Sequence, residues 1–288
     1  MDNQIAFAVI GGSGLYSMPG LVDIEQIEID TPFGRPSSPI VIGRLEGKKI
    51  AFLARHGLGH FISPTEVNYR ANIFALKSLG VQRVVSISAC GSLREDYEPG
   101  QMVVPDQLLD FTHLRPRTFF GEGLVAHISS ADPFCNDWSK QLWQSASSSG
   151  AKVHYGGTFI TIEGPRFSTK AESKLFRSWG LSIIGMTASP EAFLAREAEI
   201  CYATLAHVTD YDVWHVSVEP VTVEMVIKTL NQNTNKAQEA IMLLAKNLDE
   251  KRTCNCKDAL SNALITSPDA INPATKVKLR PLIEKYIH

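Results

Sequence analysis

Two aspartates stand two residues apart in Val208-Thr209-Asp210-Tyr211-Asp212-Val213-Trp214, directly after the β-branched and aromatic run at residues 200–206. That run predicts a buried strand, and alternate strand residues share a face. Asp210 and Asp212 therefore project the same way unless the chain turns between them. Paired carboxylates beside a core are unfavourable unless a ligand donates to them or one keeps its proton. A lone aspartate here would read as an Asx-turn. Two acids among aromatics read as a site for a ligand with N–H groups, able to give or take a proton. A second set has the opposite character: Ser13, Arg55, His56, Ser88 and Thr187. Hydroxyls, a planar guanidinium fork, an imidazole and neighbouring glycine amides suit an oxyanion such as phosphate.

Taken singly, members of the second set are weak signals. Gly11-Gly12-Ser13-Gly14 is not a dinucleotide fingerprint, because Ser17 stands where the third glycine belongs. No Lys-Ser/Thr pair follows to make a nucleotide P-loop, and Leu15 occupies the last glycine position of a serine-hydrolase elbow. The signal lies in placement: Ser13, Arg55-His56, Ser88 and Thr187 all fall at or just past the ends of expected strands, where open α/β sheets bind ligands.

The elements that would place them follow from periodicity. Strands are expected at residues 5–10, 39–43, 49–53, 84–88, 101–105, 157–162, 181–187 and 200–206. Ser63-Pro64-Thr65-Glu66 is a capping box with proline at the first helical position, so a helix is expected from there to Gly80. Further helices are expected at 137–149, from the Thr169-Lys170-Ala171-Glu172 box to Gly180, and from Ser189-Pro190-Glu191. A long amphipathic helix follows Thr222 with Val223, Val226 and Ile227 on one face, and Asn272-Pro273 caps a last helix bent or ended near Pro281. Residues 112–127 read as a long irregular loop, a place where function often resides. Strand and helix alternate with no break in composition, so a single α/β domain over 1–288 is expected.

Composition narrows the function classes. A net charge of −2 and pI near 6.5 lack the basic excess of a nucleic-acid binder. The first residues lack a basic secretion-signal region and no apolar run is long enough for a bilayer, so a cytoplasmic, membrane-free protein is expected. Among five cysteines only Cys254-Asn255-Cys256 is close-spaced. Without a nearby second pair or histidine cluster, that spacing argues against zinc and leaves reduced thiols as the expectation.

The ordered motifs Gly11-Gly12-Ser13-Gly14-Leu15, Asp30-Thr31-Pro32-Phe33-Gly34, Ala54-Arg55-His56-Gly57, Ala89-Cys90-Gly91-Ser92-Leu93-Arg94, Thr161-Ile162-Glu163-Gly164-Pro165-Arg166-Phe167, Gly185-Met186-Thr187 and Thr209-Asp210-Tyr211-Asp212 carry a resemblance. The chain resembles the 5′-methylthioadenosine phosphorylase family, of the trimeric branch of purine nucleoside phosphorylases, as far as the long helix. The resemblance implies a central mixed, partly barrel-like sheet flanked by helices, a homotrimer or a pair of trimers, and no cofactor beyond phosphate as co-substrate. It implies phosphate on Ser13, Arg55, His56, Ser88 and Thr187, with serine at two positions where many relatives have threonine. Ribose would lie against Met186, and purine by Ala89, Ile162 and Phe167. Val223, Val226 and Ile227 would wall a methylthio pocket, with His127 reaching in from a neighbouring subunit. Cys254-Asn255-Cys256 with Cys135 and Cys201 is similar to the disulfide cysteines of heat-loving archaeal members.

The implied reaction follows from charge. As the N-glycosidic bond stretches, the ribose becomes cationic and the purine anionic; phosphate stabilises the first and an acid the second. Asp210 is expected as that acid at N7, with Asp212 accepting from the 6-amino group, which favours adenine over 6-oxopurines. Adenosine or methylthioinosine phosphorolysis, hydrolytic nucleoside cleavage and a non-catalytic nucleoside binder are the alternatives.

Overall fold

The computed structural model describes residues 4–12, 18–215 and 223–287, apart from the side chains of residues 223, 225–228 and 230–233. Eleven strands form one mixed sheet. The first four are β1 (Phe7–Gly11), β2 (Val22–Ile27), β3 (Ile40–Leu45) and β4 (Lys48–Ala54), followed by helix α1 (Tyr69–Ser78). Next come β5 (Arg83–Ser92), β6 (Met102–Val104), β7 (Gln107–Phe111), α2 (Asn136–Ser148), β8 (Val153–Tyr155) and β9 (Thr158–Ile162). The remainder is α3 (Lys170–Ser178), β10 (Ile183–Gly185), α4 (Ala188–Glu197), β11 (Cys201–Asp210), α5 (Val223–Lys246) and α6 (Pro273–Ile283).

Burial explains the architecture. Every residue of β1 and of the ten-residue β11 is buried, as expected of strands covered on both faces. One face packs against α2 and α5 through Phe7, Phe52, Trp138, Leu205 and Ile241. The other packs against α1, α4 and α6 through Ile10, Leu53, Phe74, Tyr202 and Leu279. β2, missed by periodicity because its residues are mostly exposed, is an edge strand whose Asp23 and Glu25 discourage pairing with other chains.

The sheet branches at β5, where the site is built. β11 runs parallel to β5 from Arg83 to Gly91 along one edge. The other edge is shared: β1 pairs with Val84–Ser86 and antiparallel β10 with Gly91–Ser92. Between those two strands, residues 87–90 have no strand partner on that edge. The sequence placed the end of this strand at Ser88; it continues to Ser92, with the gap on its flank instead.

One helix boundary also differs. Ser63 and Glu66 make half of the expected box: Ser63 N–H donates to the Glu66 carboxylate at 3.1 Å, but Glu66 N–H bonds Ser63 O rather than Oγ, and the pair closes only a turn. The helix begins after Asn68, whose side-chain oxygen accepts from Ala71 N–H while its amide donates to Phe33 O at 2.7 Å. A tertiary anchor thus overrides the local cap. α6 continues past Pro281 to Ile283.

Candidate active site

β11 ends in a register shift between Val208 and Asp210. Such a bulge re-aims the strand's last side chains. Asp210 Oδ2 accepts from Thr209 Oγ1 at 2.6 Å, and Oδ1 accepts from the Asp212 N–H at 2.7 Å. Asp212 adopts φ +50°, so the chain does turn between the two acids, and the Asx-turn coexists with the carboxylate pair. Both acids still face one cavity. Burial raises Asp210 above the usual carboxylate range. Asp212 is pushed up to about 6 by burial, which outweighs the opposing influence of the neighbouring Ser173 hydroxyl; the Asp210 charge adds to the rise. Among the described residues Asp212 Oδ2 has no hydrogen-bond partner.

Gly91, opposite Asp210 on β5, makes this approach possible. A Cβ there would lie 2.9 Å from Asp210 Oδ1, 3.1 Å from Ile184 Cγ2 and 3.3 Å from Asp212 Cβ.

The anion-suited groups line the same cavity, of about 550 Å³. Arg55 follows β4 and is almost wholly buried. Its Nε and Nη2 each donate at 2.8 Å to the carboxylate of Glu191, itself fully buried on α4. Nη2 also donates to Ser86 Oγ at 2.7 Å, and Nη1 to Ile87 O in the β5 gap at 3.0 Å. One Nη1 hydrogen has no partner among the described residues, so Arg55 is a braced donor rather than a free one. Ala89, two residues along β5, presents its backbone to the same gap.

His56 is set by a carbonyl. Its Nδ1 lies 2.9 Å from Ile62 O, so Nδ1 carries the hydrogen and Nε2 the lone pair. Burial and then the Arg55 charge push its pKa down to about 4, leaving a neutral acceptor stacked on His60. Ser88 and Thr187 bring their hydroxyls within 3.1 Å of each other across the cavity wall. Ala89, Ile162, Phe167 and Met186 line it as well. Ser13 lies outside the described residues, as do the side chains of Val223, Val226 and Ile227, whose positions open α5. His127 is exposed on the loop, away from this chain's cavity, its N–H bonded to Ala263 O.

Comparison with known proteins identifies the family. The phosphorylase superfamily profile matches residues 6–246. The chain is 54% identical to S-methyl-5'-thioadenosine phosphorylase of Chloroflexus aurantiacus, over 99% of each chain. It is 50% identical to the enzyme of that name from Koribacter versatilis, covering 98% of this chain and 97% of the relative. The chain belongs to the phosphorylase superfamily. Among solved structures, a methylthioadenosine phosphorylase from an antarctic soil metagenomic library superposes with TM-score 0.91 at 46% identity, covering 98% and 99% of the two chains. The Schistosoma mansoni methylthioadenosine phosphorylase in complex with adenine gives 0.84 at 36% identity, covering 90% and 96%.

Several residues that line or brace this cavity escaped sequence reading. Glu191 was legible only as part of a helix start. Arg115 sits in the loop singled out for its length; its buried guanidinium donates to Met186 O and Ser189 O at 2.7 Å and to Glu163 Oε1 at 3.0 Å, tying together the segments that carry Met186 and Ile162. His207 lines the cavity facing α5, kept neutral by burial at a pKa of about 4, with neither ring nitrogen partnered among the described residues. Its signal was an imidazole inside an otherwise apolar strand.

Proposed function

We propose that this chain catalyses phosphorolysis of S-methyl-5′-thioadenosine, giving adenine and 5-methylthioribose 1-phosphate. The observation that carries the reading is that Asp210 and Asp212 share one cavity with Arg55, His56, Ser88 and Thr187. An anion cradle and a proton donor lining one cavity is what cleavage of a sugar–base bond by phosphate requires.

Phosphate takes the remaining Arg55 N–H, the Ser88 and Thr187 hydroxyls and the Ala89 amide, with Ser13 closing the cradle. A neutral His56 Nε2 accepts from the P–OH of hydrogen phosphate, which aims the unprotonated oxygens at the ribose. Glu191 holds the guanidinium rigid, so little reorganisation accompanies bond breaking. Adenine lies by Ala89, Ile162 and Phe167, and ribose against Met186. Asp210 protonates N7 as the purine leaves, its raised pKa keeping the proton available. The unpartnered Asp212 Oδ2 accepts from the 6-amino group, and a 6-oxo group there would leave two acceptors facing each other. Only phosphate is consumed as co-substrate. Chains 1–288 act as single domains in a homotrimer, each contributing His127 to the methylthio end of a neighbour's cavity formed by Val223, Val226 and Ile227.

Adenine release from methylthioadenosine, followed with and without phosphate, tests the proposal. The expected result is strict phosphate dependence and no release of free methylthioribose. Equal rates without phosphate would instead assign hydrolysis.

A further inference from the structure

The spacing Cys254-Asn255-Cys256 gave no reason to expect a metal, because no second pair lies near it in sequence. The fold supplies that pair. Cys135 stands at the start of α2, Cys201 opens β11, and beyond α5 Cys254 precedes a short helical turn (Asn255–Asp258) that contains Cys256. All four sulfurs lie within 4.8 Å of one another, with Cys201 and Cys254 3.3 Å apart. Three of the four are buried. A tetrahedral zinc thiolate with Zn–S of about 2.3 Å has S···S edges of about 3.8 Å, inside the range these atoms occupy. That span accommodates one ion and is too small for a polynuclear cluster.

The surroundings are cationic, which separates this arrangement from a mere thiol core. Arg196 Nη1 donates to Cys256 Sγ at 3.4 Å. Arg252 is in electrostatic contact with Cys201, Cys254 and Cys256, and Arg83 with Cys201 and Cys254. The same arginines clamp the chain that carries the cysteines: Arg83 Nη2 donates to the carbonyls of Asp249, Glu250 and Lys251, and Arg252 Nη2 to Glu199 O. Neutral thiols or disulfides have no need of three guanidinium groups. Four thiolates around a divalent ion leave a net charge of −2, which cations and N–H···S bonds offset.

We propose that Cys135, Cys201, Cys254 and Cys256 form a structural tetrathiolate site for one Zn²⁺ ion. Binding replaces four S–H protons, which pass to solvent, with four Zn–S bonds, and no electron is transferred. With four protein ligands the site has no open position, so it joins α2, β11 and the segment after α5 rather than performing chemistry.

The test uses the full chain purified under reducing conditions. Metal analysis is expected to find one zinc per chain, and Cys256→Ser to lose it. Exchange of wild-type protein with Co²⁺ is expected to give the thiolate charge-transfer and intense ligand-field absorption of a tetrahedral sulfur site, which does not depend on any variant folding. In folded protein a thiol reagent is expected to spare Cys135, Cys201, Cys254 and Cys256 while zinc is bound and to modify them faster after chelation. The proposal is overturned if zinc-supplied protein holds no stoichiometric metal and shows no cobalt bands. It is equally overturned if denaturing alkylation at lysis finds these cysteines joined as two disulfides.

Discussion

The two ends of β11 solve opposite problems with one strand. At Asp210 the polar groups are incompletely bonded: Asp212 Oδ2 is buried without a partner and both carboxyls are pushed above their usual range. At Cys201, about 30 Å away by strand length, polarisable groups are packed against one another and against arginines. One end is left unsatisfied, as a ligand site must be, and the other is closed on itself. The apolar residues between them, buried on both faces, keep the first end from relaxing.

Substitutions can break or sharpen that contrast. The largest effect belongs to Asp210→Asn, expected to lower kcat for adenine release by roughly 10²–10⁴-fold while leaving the unfolding midpoint near that of the parent; wild-type turnover would remove the acid role. Arg55→Ala strands Glu191 as an unpaired buried carboxylate, so chemical denaturation should show a loss of about 3–5 kcal/mol, together with a raised KM for phosphate. Gly91→Ala inserts a methyl group against both acids and should cost up to roughly 10²-fold in kcat with secondary structure intact, a result read by circular dichroism beside kinetics.

Asp212 offers a smaller, pH-dependent effect. Its folded pKa of about 6 exceeds the unfolded value of about 3.9. Its contribution to stability is therefore complete below about pH 4 and is lost as pH rises through 6. Asp212→Asn should flatten stability across that interval, with a gain on the order of 2 kcal/mol above it. An unchanged slope in denaturation curves between pH 4 and 7 would show that the carboxyl is solvated. Smallest for catalysis is Cys256→Ser, at the opposite end: the thermal midpoint should fall while kcat and KM stay put.

How much of this was legible depends on how local each cause is. The capping box at Thr169 makes both its reciprocal bonds and starts α3, because nothing distant competes. The same pattern at Ser63 forms only one of its two bonds and loses to Asn68, whose amide is held by a loop 35 residues earlier. Asp210, Asp212, Arg55, His56 and Thr187 meet because strand ends converge, whereas Ser88 joins them from the open flank of β5, four residues before its end. Glu191 could not be found this way, since its meaning depends on Arg55 136 positions away. The four cysteines were visible individually, yet only the packing of α2 and the C-terminal segment around β11 makes them neighbours. Periodicity reports what each residue does for its own element and is silent about such meetings.

The gap on the flank of β5 has an evolutionary consequence. Donors and acceptors that belong to peptide groups are spelled by no codon, so most replacements at residues 87–90 leave them in place. Side chains there can change without erasing the groove's backbone donors and acceptors. Only proline, which deletes an N–H, removes one of them in one step, and a saturation library at Ala89 should show that residue as the sharpest outlier.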